Sequence, residues 1–203
     1  MSSLTNIVAE RWQRALPWLI VPALAGLFPA WPLALTSLPL LLALHLPLYM
    51  IHQTEEHLWP GGFRRYVNST VFRSADPLRP ASAGTIAFVN IVLVWLPIAL
   101  GAIPAQFRPG FAWIGLGMVA VSLVNALAHI ALFLRTRQRN PGLVTALLLL
   151  LPFSLWVLHL AMAQNALDWP NVARLILLAL ALHGVVAAII ASPWLRRTRS
   201  IRP

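Results

Sequence analysis

Apolar residues in this chain come in long unbroken runs and do not alternate with polar ones. IAFVNIVLVWLPIALGAI (86–103) and LVTALLLLLPFSLWVLHLAMA (143–163) each reach or approach the ~20 residues that cross a hydrocarbon core of about 30 Å as a helix. Six such spans are predicted, at 15–31, 34–57, 81–103, 111–134, 143–164 and 172–192. A membrane barrel would need period-two alternation, so the pattern predicts an all-α integral membrane bundle. Pro17, Pro22, Pro29, Pro32, Pro39 and Pro47 crowd the first two spans, where kinks or a re-entrant hairpin are expected.

Composition agrees with this pattern. With 59% hydrophobic and 10% charged residues and a mean hydropathy of +0.76, the 203-residue chain has too little polar surface for a water-soluble globule. All fifteen basic residues are arginine. With the N-terminus inside, thirteen of them fall in cytoplasmic segments and only Arg108 and Arg174 outside, which predicts cytoplasmic N- and C-termini. The chain then reads as a single transmembrane domain over 1–203, with basic termini at 1–14 and 196–203 and an interfacial loop at 58–80, and with no cleaved leader. The net charge of +10 follows this topological distribution and has no basic reading helix or stacking motif, so no nucleic-acid partner is expected. Membrane lipids are the expected partners. The absence of cysteine excludes disulfides and thiolate metal sites.

Against this apolar background one stretch stands out. His52-Gln53-Thr54-Glu55-Glu56-His57 places two of only five acidic residues side by side at the end of a membrane-buried run. Carboxylates within a bilayer are costly and tend to be paired, liganded or turned to water. His52 and the glutamates lie one helical turn apart, a spacing that can converge on one metal ion. At 1.5 Å per residue, His52 and His129 both fall about 8 Å from the inner face, and Asn125, Asn90 and His183 about 14 Å. His159 falls about 24 Å deep, toward the outer side. The expectation is a polar cavity open to the cytoplasm, with His52, Glu55, Glu56, His129 and His183 as candidate metal ligands. Glu55, Glu56 and Asn125 are the candidate catalytic residues, and Asn125 and Asn90 the orienting donors. Against it stand structural readings: Glu55 or Glu56 tied to Arg64 or Arg65, and histidines such as His45 and His159 serving only as hydrogen-bonding residues.

HQTEE, then Asn125 and His129 in NALAH, then NPGLVTALLLLLP at 140–152 resemble, in that order, the HXXEE family of bacterial multi-pass membrane proteins. The resemblance extends from about residue 33 to 190 and implies the bacterial inner membrane; it adds no settled activity. The residues themselves point to an intramembrane enzyme, with Zn²⁺ or Fe²⁺ promoting hydrolysis of a lipid or isoprenoid-like substrate. Two readings remain beside it: a metal-free acid/base isomerase or cyclase using the carboxylate pair, and a proton- or metal-coupled transporter or binding protein. An accessory structural role is the fallback. HExxH and G-x-S-x-G are both absent, which removes the commonest protease and esterase signatures.

Overall fold

The computed structural model describes residues 8–30, 35–108 and 112–199, with side chains up to residue 192. The span ends expected at 31, 34 and 111, and the outer parts of both basic termini, lie outside the described residues. No strand occurs among the described residues, and after a short helical stretch at 8–11 seven helical elements follow one another from residue 16 to residue 199. They are α1 (Leu16–Leu27, flanked by 3₁₀ turns), α2 (Leu38–His57), α3 (Phe63–Tyr66, running into a wide turn Val67–Val71), α4 (Ala83–Ala105), α5 (Ala112–Thr136), α6 (Leu143–Ala163) and α7 (Trp169–Arg199).

Four of these, α4 to α6 and the Trp169–Ser192 part of α7, are long and apolar enough to cross a membrane. Their bounds lie close to the last four predicted spans. The first two predicted spans differ. The α-helical part of α1 has 12 residues, about 18 Å of rise, and reaches greater length only through its 3₁₀ flanks. α2 has 20 residues but gives its last turns to the polar sequence HQTEEH.

α2 is the centre of the bundle. Twelve of its twenty residues are buried, on every side of the helix, so it lacks the single lipid-facing stripe of a peripheral span. Proline at its first turn costs no hydrogen bond, whereas Pro47 inside it removes one. α4 and α5 press against each other where a Cβ on Gly101 would collide with the backbone of Gly115, the small-residue contact typical of membrane helices. Leu42 of α2 fills the space beside Gly115.

Several polar residues inside the bundle bond across helices, while Ser154 Oγ is buried without a partner. His45 Nε2 meets Ser122 Oγ at 2.7 Å, between α2 and α5. Gln53 Nε2 donates to Asn90 Oδ1 and Gln53 Oε1 accepts from Trp95 Nε1, tying α2 to α4. Asn90 also donates to the carbonyl of Ile86, in a stretch where α4 takes a π-helical course over Val89–Trp95.

The segment 58–80 is a folded element. Asn68, fully buried, donates to the carbonyls of Pro77 and Ala81 and accepts from the Ala81 amide. Arg64 donates to the carbonyls of Ala81 and Leu78 and lies 3.7 Å from Glu10. The contemplated tie between Arg64 and the glutamate pair is therefore corrected: Glu10 takes Arg64, and Glu55 takes an arginine elsewhere.

Candidate metal centre

Three segments build the site: the C-terminal turns of α2, the C-terminal half of α5, and the turn 139–145 that joins α5 to α6. On α2, His52 and Glu56 stand one turn apart, with His52 Nε2 3.6 Å from Glu56 Oε1. From α5, His129 Nε2 reaches the same oxygen at 3.3 Å. The two imidazole rings lie 5.0 Å apart and nearly perpendicular. One ligand atom from each of these residues lies within 4.8 Å of the others, and all three residues are buried.

The orientation of each ring follows from what holds its other nitrogen. His129 Nδ1 lies 2.6 Å from Asn140 Oδ1, while Asn140 Nδ2 donates to the His129 carbonyl at 2.9 Å. Because the amide NH₂ is engaged there, Asn140 Oδ1 is an acceptor and His129 Nδ1 carries the hydrogen. His52 Nδ1 lies 2.9 Å from Thr145 Oγ1, and that hydroxyl donates to Glu55 Oε2 at 2.7 Å. A hydroxyl has one hydrogen, so Thr145 accepts from His52 Nδ1–H. Both Nε2 lone pairs are thereby aimed at the region of Glu56 Oε1, and three electron-rich atoms face one another. A shared proton or a cation stabilises such a set, beside the Asn125 amide, whose Nδ2 lies 3.1 Å from His52 Nε2.

Gly142 allows this approach. Its φ of +92° is a left-handed conformation, and a Cβ there would come within 2.8 Å of Glu56 Cγ, His129 Cε1 and His52 Cε1. The turn backbone lies directly against all three residues, a position only glycine fills.

Glu55 is placed differently from its neighbour. Its carboxylate accepts from the Thr145 amide at 2.7 Å, the Thr145 hydroxyl, the Val144 amide at 3.2 Å and Arg139 at 3.2 Å. These donors fix it against the 139–145 turn and leave it outside the three-residue cluster. His183 also lies outside the cluster: its Nδ1 is 2.8 Å from the Ala179 carbonyl of its own helix. It nevertheless lines, with Glu56, Asn125, Tyr49 and Asn90, a small cavity of about 120 Å³ bounded by α2, α4, α5 and α7. Asn125 is nearer still, with Nδ2 3.1 Å from His52 Nε2. His57 packs edge-on against Trp12 and Phe63 with Nε2 3.6 Å from Glu56 Oε2. His159 is exposed near the opposite end of the bundle, its ring 5.8 Å from Trp156.

Residue reasoning from spacing missed Asn140, Gly142 and Thr145 as parts of the site. The signal was present in the segment NPGLVTA, whose Pro-Gly turn and small polar residues stand between the basic stretch 135–139 and the apolar run of α6. What it could not reveal was that this turn folds back under α2.

The described residues define an all-helical fold, with four membrane-length helices among them, that buries a two-histidine, one-glutamate cluster capable of holding a metal ion. Residues 43–157 match the family described as a protein of unknown function with HXXEE motif, and the chain belongs to that family. The matched region includes all three residues of the cluster and the turn that orients them. No curated protein and no solved structure gives a significant match to the chain.

Proposed function

We propose that His52, Glu56 and His129 hold a divalent cation, Zn²⁺ or Fe²⁺, and that the protein is an intramembrane hydrolase acting on a lipidic substrate. The observation that carries this reading is the orientation of the two rings: Asn140 and Thr145 accept the Nδ1 hydrogens and leave both Nε2 lone pairs facing Glu56 Oε1. Histidine ligands that pass their second nitrogen to a neighbouring acceptor are a regular feature of metal sites, and nitrogen and carboxylate ligands suit zinc and iron. A cation bound there supplies a Lewis acid for hydrolysis.

The protein's own groups divide the remaining work. Glu55, saturated by four donors, serves as a positioning residue that holds Thr145 and through it His52. Proton transfer falls to Glu56, whose second oxygen faces His57. Asn125, Tyr49 and His183 line the cavity beside Glu56, and Asn125 is the donor placed to orient a substrate oxygen. Apart from Asn90 and His183, the α4 and α7 walls of the cavity are apolar, which suits an amphiphile entering between those helices with its polar end toward Glu56.

The proposed topology has six crossings with both termini cytoplasmic, in a bacterial inner membrane. Its support is the thirteen-to-two arginine distribution and the 20-residue length of α2. A reporter fused beyond Arg202 is expected on the cytoplasmic side.

Metal analysis after chelator-free purification tests the central claim. One divalent ion per chain is expected, and loss of it in His52→Ala, His129→Ala and Glu56→Gln. A wild-type content near zero would overturn the cation. The Asn125 amide, which already donates to His52 Nε2, favours the metal-free acid/base reading in that event.

A further inference from the structure

On the face of α2 opposite the small cavity, α1, α2 and α6 leave two adjoining hollows of about 430 and 590 Å³. The first is lined by Pro17, Ile20 and Val21 of α1, Ile51 and Glu55 of α2, and Thr145 of α6. The second continues along the same helices through Leu24 and Leu27, Leu41 to Leu48, and Leu148 to Trp156. The lining residues of each helix recur at three- and four-residue steps, so the hollows are successive parts of one groove. From Leu41 to Glu55 the groove follows α2 for about 21 Å, more than the ~15 Å of one leaflet's hydrocarbon.

Its polarity is graded. One end carries Arg139, Glu55, Thr145 and Thr54, with Trp59 exposed beside them. The rest of the wall is aliphatic, phenylalanine and proline side chains, and at the far end Trp156 donates to the Leu35 carbonyl. Two tryptophans thus bracket an apolar channel, as they bracket a hydrocarbon layer. At the polar end the charges are unequally accessible. Glu55 is only 6% exposed and is covered by its donors, whereas the Arg139 side chain is 58% exposed and has N–H donors beyond the one given to Glu55. An approaching headgroup therefore meets the guanidinium and not the carboxylate.

We infer that this groove is a binding site for an anionic membrane phospholipid, one acyl chain lying between α1, α2 and α6 and the phosphate headgroup on Arg139. The site does not depend on the cation reading: none of His52, Glu56 and His129 lines it, although Glu55 and Thr145, which orient His52, do. Arginine suits a phosphate because its planar donors match the oxygen geometry, and a guanidinium near an anionic headgroup changes binding by about fivefold.

The test uses the full chain in nanodiscs, with a photoactivatable diazirine on the acyl chain of either phosphatidylglycerol or phosphatidylcholine. Mass spectrometry should map crosslinks chiefly to the groove faces of α1, α2 and α6, with phosphatidylglycerol preferred about fivefold. Arg139→Gln should abolish the preference. Leu148→Trp, at a position 70% exposed and hence tolerant of size, should reduce crosslinking in the groove without altering thermal stability. Labels spread evenly over all lipid-facing helices, equal labelling by both lipids in the wild type, or an undiminished preference in Arg139→Gln would overturn the site.

Discussion

Asn140 grips His129 at both ends of its amide, accepting from the ring at 2.6 Å and donating to the main-chain carbonyl at 2.9 Å. The ring of His129 therefore has one available face toward Glu56, set by a residue eleven positions later in the chain. Asn140→Ala should weaken divalent-cation affinity by about 10- to 100-fold, the usual cost of losing an orienting partner. Isothermal titration with Zn²⁺ measures it, and an unchanged affinity would show that Asn140 only braces the turn.

Gly142→Ala should be more damaging than a surface glycine change. Left-handed backbone costs a residue with a Cβ about 1–2 kcal/mol, and here the added methyl would also press on His52, Glu56 and His129. The expected result is lost cation binding together with a lower thermal midpoint. Gly184→Ala, where nothing lies within 4 Å of an added Cβ, is the matched control and should change neither.

Thr145→Val keeps the shape of the side chain and removes the hydroxyl that links Glu55 to His52. A buried group left without its partner costs about 1–3 kcal/mol, so the variant should unfold at lower denaturant concentration. Thr145→Ser should restore much of both stability and cation affinity. Failure of serine to rescue would assign the effect to packing of the methyl group.

Protons and cations compete for His52, His129 and Glu56, so cation affinity should fall as pH is lowered through the imidazole range. Binding should release protons, which titrations in buffers of different ionisation enthalpy would detect. A pH-independent affinity without proton release would indicate that the ion binds elsewhere.

Ser122→Ala separates structure from site. It removes the partner of His45 Nε2, in a ring whose Nδ1 already has none. A loss of about 1–3 kcal/mol in stability is expected, with cation content unchanged. Loss of the cation in this variant would mean that the His45 level and the cluster are coupled.

Much of this architecture was legible in composition and periodicity. Runs such as 143–163 permit no other structure in a membrane, and the helices found there begin and end within a few residues of expectation. The HQTEEH segment drew attention because charge is rare in this chain. Helical spacing alone put His52 beside Glu56. The difference between the two adjacent glutamates was not legible, because it depends on which of them faces the 139–145 turn. Successive residues on a helix point about 100° apart, so one glutamate meets the α5–α6 turn and the other meets His129. Depth arithmetic placed His183 at the level of the site, but level does not fix azimuth, and its ring bonds its own helix. The internal position of α2 was equally hidden, since an apolar helix presents the same residues to lipid and to protein.

The turn that completes the site lies 84 to 93 residues beyond the α2 side chains it satisfies. During synthesis, α2 is therefore made long before Arg139, Asn140 and Thr145 exist. Its histidines and carboxylates lack these partners until the turn between α5 and α6 closes over them. Chains arrested before residue 145 should stay vulnerable to membrane proteases that the finished bundle resists, so quality control would read the same contacts that build the pocket.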